Sequence, residues 1–191
     1  TRLGEITYKY DEAGRRTSST DSPGTLNQYD YDAADRLTRL RQSGAYVTSK
    51  SIEYTYYHDH QTDTVTRYAS VYQVATSDYG YDGMGRLDDL VHADEGVTLV
   101  DYGWQFDPAG RITAMSSTRD GSSGFGYDAT DQLTSADHDY QADEGFGYDD
   151  NGNRTNTGYT TGDQNRLTSD GTYSYTYDAE GNRLTRTHLV S

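Results

Sequence analysis

Aromatic residues along this chain recur at every second position, in short runs separated by polar octets. Ile6, Tyr8 and Tyr10 share one parity, as do Ile52, Tyr54 and Tyr56. Tyr79 precedes Tyr81, Tyr102 and Trp104 precede Phe106, Phe125 precedes Tyr127, Phe146 precedes Tyr148, and Tyr173 and Tyr175 precede Tyr177. A period of two places each set on one face of a β-strand, and aromatic and β-branched residues suit that pleated surface. The intervening positions hold Thr, Ser, Gly, Lys and Gln, so the opposite face is small and polar. Tyr8, Tyr10, Tyr79, Tyr81, Trp104, Phe106, Phe125, Tyr127, Phe146, Tyr148, Tyr175 and Tyr177 are the expected aromatic core. Gly, Asp, Asn, Ser and Thr break every window that could hold an amphipathic helix, so none is expected.

Each run ends in the same octet, Tyr-Asp-x-x-Gly-x-x-Thr. Clear copies start at Tyr10, Tyr31, Tyr81, Phe106, Tyr127, Tyr148 and Tyr177, with degenerate ones at Tyr57 and Thr161. Successive starts lie 21, 26, 24, 25, 21, 21, 13 and 16 residues apart. Such periods mark a repeat architecture in which one supersecondary unit stacks on the next. The second position is Asp11, Asp32, Asp82, Asp107, Asp128, Asp149 and Asp178, whose carboxylates can accept backbone N–H groups just ahead. The fifth position is Gly14, Asp35, Gly85, Gly110, Asp131, Gly152 and Gly181, residue types that tolerate positive φ. A type I turn followed by a left-handed residue needs that tolerance. Arg36-Leu37-Thr38 and its counterparts then begin the return strand. Each repeat is therefore a β-hairpin, which must pair with the next to be stable. Residues 41–76 and 155–172 depart from the regular spacing, but alternation resumes after both, so residues 1–191 read as a single array.

Composition alone leans towards disorder: 32% of residues are hydrophobic, the net charge is -15 and mean hydropathy is -0.99. Twenty tyrosines reverse that inference, because each ring can bury a large apolar area while its hydroxyl seeks a partner. The 31 acidic residues against 16 basic ones argue against nucleic acid as a partner. No stretch has the apolar length of a membrane-spanning helix. There is no cysteine, which excludes disulfides and thiolate chemistry without deciding the compartment. No signal peptide is visible and the first residue is Thr1, so the chain is expected to be part of a longer polypeptide.

The octets resemble those of the Tyr-Asp (YD) repeat, or Rhs repeat, family. That family occurs in bacterial polymorphic toxins, insecticidal toxin complexes, teneurins and bacterial cell-surface proteins. The resemblance covers Tyr8 to Thr187. It implies an all-β fold in which tandem antiparallel hairpins form a coiled sheet, as a segment of a hollow shell, tube or spiral. It also implies an extracellular or cell-surface location. Asp107-Pro108-Ala109-Gly110 resembles the DPxG string of the family's terminal core but falls in register as an ordinary octet turn. No catalytic residue is carried over.

Candidate chemistry is sparse. His58-Asp59-His60 places two imidazoles on one strand face, half of a metal site with no third ligand at suitable spacing. Asp149-Asp150-Asn151-Gly152-Asn153 resembles the start of a calcium loop, but Thr160 stands where a closing Glu would be needed. The repeated aspartates point to turn capping, since an active site needs one constellation rather than seven. No cofactor, metal or catalytic site is expected, and the chain is read as a non-catalytic structural segment of a shell, tube or filament wall. The alternatives are an adhesin-like module, whose ring stripe would bind glycans or protein, and a cocoon segment around a C-terminal toxin. The expected partners are flanking repeats or further copies joined through the terminal strands, near residues 4–10 and 182–190, which lack strong edge protection.

Overall fold

The computed structural model describes residues 4–189. It is all-β apart from one 3-10 turn, Asp163–Asn165. The strands are β1 (Ile6–Tyr10), β2 (Arg16–Asp21), β3 (Leu26–Tyr31), β4 (Leu37–Gly44), β5 (Val47–Tyr56), β6 (Thr62–Ala69), β7 (Tyr72–Tyr81), β8 (Leu87–Asp94) and β9 (Val97–Phe106). They continue with β10 (Ile112–Ser117), β11 (Gly121–Tyr127), β12 (Leu133–His138), β13 (Glu144–Gly145), β14 (Tyr159–Gly162), β15 (Arg166–Asp170), β16 (Tyr173–Tyr177) and β17 (Arg183–His188).

The chain divides into two compact units. One runs to Trp104 and includes Ser116–Arg119; the other holds Gln105–Met115 and everything from Asp120 on. The boundary between them falls inside β9 and β10. Nothing in the octet pattern marks that point, because a stack of hairpins is held only by nearest-neighbour interfaces.

In the first unit the strands follow one another in the sheet in chain order, and every adjacent pair is antiparallel. In the second, β11, β12 and β13 pair in order, and β14 to β17 form a separate four-stranded sheet. A register shift recurs where five of the clear octets begin: between Lys9 and Tyr10, Asp30 and Tyr31, Gly80 and Tyr81, Gly126 and Tyr127, and Thr176 and Tyr177. The extra residue is the eighth of the octet, Thr17, Thr38, Asp88, Thr134 or Leu184, a β-bulge in the return strand just beyond the turn.

The core differs from the aromatic one expected. The buried apolar residues are Val65, Ala93, Val100 and Ala136, joined by Ser19, Ser51, Ser77, Ser117 and Ser123. Ten of the twelve rings named above are half-buried, and Tyr8 and Tyr10 on β1 are exposed. The partner register Tyr54–Val65–Ser77–His92–Val100 shows why. Small residues occupy the centre of the sheet face, and rings lie towards the octet ends of the strands. Ser77, with no exposed surface, bonds Arg67 Nη1 and His92 Nδ1 at 2.8 Å each, which satisfies its buried hydroxyl.

Candidate functional site: the ladder of octet turns

Every clear octet builds one turn. The position-two N–H donates to the position-six carbonyl, and the position-five N–H donates back to the position-two carbonyl, as in Asp11 with Arg15 and Gly14. Gly14, Asp35, Gly85, Gly110, Asp131, Gly152 and Gly181 have φ between 63° and 92°. The position-two carboxylate caps the turn: Oδ1 of Asp11 accepts the N–H groups of Ala13 and Arg15, and Oδ1 of Asp149 those of Asn151 and Asn153. Asp32, Asp82 and Asp128 do the same, and Asp107 and Asp178 accept the position-six N–H.

These bonds hold all seven carboxyls below their ordinary value of 3.8. In Asp32, Asp82, Asp107 and Asp128 the leading cause is the position-six backbone N–H. In Asp11, Asp149 and Asp178 it is the position-six side chain, Arg15, Asn153 or Asn182.

The residue that sequence reasoning missed is the sixth. Arg15, Arg36, Arg86 and Arg111 each donate from Nε to Oδ2 of their own octet's Asp, at 2.6–2.7 Å. Three of these arginines, together with Arg166, also reach forward. Arg15 Nη1 donates to Asp32 O, Arg36 Nη1 to Tyr57 O, Arg111 Nη1 to Asp128 O and Arg166 Nη1 to Asp178 O. The guanidinium then lies over the first ring of that next octet: Arg15 on Tyr31 at 5.0 Å, Arg36 on Tyr56 at 4.7 Å, Arg111 on Tyr127 at 4.8 Å and Arg166 on Tyr177 at 5.8 Å. The same four tyrosines donate their hydroxyls back to Arg16 O, Leu37 O, Ile112 O and Leu167 O, position seven of the preceding octet.

Each such junction is therefore a reciprocal clasp. An arginine, oriented by its own aspartate at three of the four junctions and by Gln164 at Arg166, covers the next ring, and the ring's hydroxyl returns a bond. The signature Tyr-Asp-x-x-Gly-Arg follows from this geometry: ring, cap, left-handed corner and reaching cation. Recurrence of Arg at position six was the available signal.

Three further placements correct the sequence reading. The copy expected at Tyr57 begins at Tyr56, since Tyr57 N donates to Gln61 O and His60 N to Tyr57 O, with His60 at φ 73°. Two adjacent tyrosines hid the register. His58, Asp59 and His60 accordingly lie in this turn rather than on a strand face, and no group of three metal-ligating side chains occurs among the described residues. An unrecognised turn of the same kind, Asp21 with Gly24 (φ 91°) and Thr25, joins β2 to β3 at the opposite edge.

The terminal strands β1 and β17 are exposed along their whole described length, and Val190 lies outside the described residues. No helix among the described residues is long and apolar enough to cross a membrane.

No family model matches the sequence, and no curated protein matches it. Solved structures do. A crystal structure of TcdB2-TccC3-Cdc42 matches 97% of this chain with a TM-score of 0.68 at 16% identity. A crystal structure of TcdB2-TccC3-TEV and a Photorhabdus luminescens Tc holotoxin pore each match 96% with a TM-score of 0.58 at 20% identity. The chain spans 12% of the first of those chains and 9% of the other two. Taken with the octet turns, this likeness shows the fold: an all-β array of antiparallel hairpins.

Proposed function

We propose that this chain is a non-catalytic structural segment of a large secreted or cell-surface protein, a stretch of YD repeats whose hairpins form part of a wall. The observation that carries this reading is the clasp. The Asp and Arg side chains that recur in the octets, the chain's most numerous candidates for chemistry, are engaged in capping turns and binding the next repeat. A repeat that spends its functional groups on its neighbour is built for continuity.

Likeness to Tc toxin structures favours a wall that encloses over an open filament, and a cocoon around toxin cargo is the form of enclosure that fits it. The exposed β1 and β17 are the places where flanking repeats of the same polypeptide, or further copies, would add strands. A second reading, an adhesin-like module, draws on exposed rings at the hairpin tips opposite the octets, Tyr46 at 92% and Tyr72 at 73% exposure. Its partner would be protein or glycan.

Electron microscopy of the full native polypeptide tests this. The account expects the segment to lie within a continuous wall, with β1 and β17 both paired. A segment projecting as an isolated module with both edges free would overturn the structural reading in favour of the adhesin-like one.

A further inference from the structure

Four octets have no arginine at position six: two hold asparagine, Asn153 and Asn182, and two hold glutamine. In the octet that begins at Tyr56 the sixth position is Gln61, and in the one at Tyr127 it is Gln132. Each place opens into a cavity against the next octet. The Gln61 cavity measures about 410 Å³ and includes Tyr57, Asp59, Tyr81 and Asp82 in its lining. The Gln132 cavity measures about 650 Å³ and includes Asp128, Tyr148, Asp149 and Asp150. Neither lining contains an arginine or a lysine.

The substitution explains both openings. Gln61 keeps the turn-to-turn bond, donating from Nε2 to Gly85 O at 2.6 Å, and Gln132 Nε2 lies beside Gly152 in the matching place. An amide that short does not reach the ring position which Arg15, Arg36, Arg111 and Arg166 occupy at the equivalent junctions; at the Gln61 notch the Tyr57 ring stands edge-to-face with Tyr81, centroids 6.0 Å apart. At Asp128 the bonds from Thr130 and Gln132 all go to Oδ1. In Asp11, Asp32 and Asp107 it is Oδ2 that takes the arginine Nε. Arg154 stands 5.7 Å from the Tyr148 ring centroid but is not in the cavity lining.

We infer that the Gln61 and Gln132 notches are binding sites for a guanidinium group, supplied by an arginine side chain of a basic polypeptide partner. The ring face offers cation–π attraction, Asp59 and Asp150 offer charge, since Asp82 and Asp149 are already bonded to Arg86 and Asn153, and the position-two carbonyl of the next octet offers an acceptor. The chain satisfies the equivalent groups with its own arginines at the four junctions of Arg15, Arg36, Arg111 and Arg166. Its net charge of -15 draws a basic segment towards it. Lysine, a compact and strongly hydrated charge without a planar fork, fits the place less well. This inference is independent of whether the array forms a closed wall.

The test is a titration of the ¹⁵N-labelled 191-residue chain with acetyl-Gly-Arg-Gly-Arg-Gly-amide. Lysine and citrulline versions of the peptide, and free acetyl-arginine amide, are run beside it. The arginine peptide should shift the side-chain amide signals of Gln61 and Gln132 and the ring signals of Tyr81 and Tyr148. The lysine peptide, which keeps the charge without the planar fork, and the citrulline peptide, which loses the charge, should each bind about tenfold more weakly. Free arginine amide should shift the same signals at higher concentration. The double variant Gln61→Arg/Gln132→Arg fills both notches from within and should lose those shifts. The charge-matched control Thr48→Arg/Gln141→Arg, at exposed positions, should keep them.

Should the filled variant lose its dispersed spectrum, Tyr81→Leu/Tyr148→Leu removes the rings without adding charge and is expected to weaken arginine-peptide binding equally. Equal binding of arginine and lysine peptides, equal loss in filled variant and control, shifts confined to other residues, or no binding would each overturn the proposal.

Discussion

Replacing Tyr127 by phenylalanine removes one oxygen and leaves the ring under Arg111. The hydroxyl it deletes donates to Ile112 O at 2.8 Å across 15 residues of sequence, which makes it a bond between successive octets. A hydrogen bond of this kind contributes about 0.5–1.5 kcal/mol net, and the half-buried setting of Tyr127 places it near the middle of that range. Tyr127→Ala also removes the ring. Truncating a fully buried aromatic costs about 3–5 kcal/mol, so a half-buried one should cost roughly half, giving about 2.5–3.5 kcal/mol with the lost bond. The control is Tyr46→Phe at a hairpin tip, where the residue is 92% exposed and no effect is expected. Urea unfolding followed by circular dichroism gives the totals. Amide exchange locates them, because in a hairpin stack the loss should fall on β10 and β11 before distant strands. If Tyr127→Phe matches Tyr46→Phe in both assays, the returning hydroxyl bond is not a stabilising element and the clasp loses half its basis.

Further predictions concern the turn itself and the sheet edges. Gly85→Val should destabilise by about 1 kcal/mol or more, because a β-branched residue strains at its φ of 77°; Gly85→Asn should cost clearly less, and equal costs would contradict the left-handed corner. The lowered carboxyl of Asp107 sets a pH dependence of definite sign. Its folded-state pKa lies below the ordinary 3.8, so the stability it adds is complete above about pH 4 and disappears as pH falls through the lowered value. The stability difference between wild type and Asp107→Asn, read from urea midpoints, should therefore be constant from pH 7 to about 5 and vanish in strong acid; a difference that grows below about pH 4 would contradict the capping role. With β1 and β17 exposed, light scattering on the isolated chain should show association that rises with concentration, and a concentration-independent monomer would remove the edges as joining surfaces.

The turns were legible because their chemistry is local. Asp at position two and Gly or Asp at position five state the cap and the left-handed corner within four residues, and the strands follow from parity. What lay beyond the sequence was depth and reach. Parity assigns Tyr79 and Ser77 to one face but cannot say that the serine is the fully buried one, since that depends on which residues stand opposite in β6 and β8. Arg36 looked like the first residue of a return strand. Its contact with Tyr56 lies one repeat away, and the neighbouring Tyr57 had already drawn the octet out of register. The same blindness hid the two notches: Gln61 and Gln132 are unremarkable polar residues until the arginine that should stand there is known to reach the next ring.

The central claim is that at four junctions an octet binds the next through an arginine laid on a tyrosine. Nuclear Overhauser measurements on selectively labelled Arg and Tyr test it most directly. The account predicts cross-peaks joining the side chains of Arg15 to Tyr31, Arg36 to Tyr56, Arg111 to Tyr127 and Arg166 to Tyr177, with the arginine side-chain protons shifted upfield by the rings. Cross-peaks confined to residues of the same hairpin, with arginine shifts at their solvent values, would contradict it.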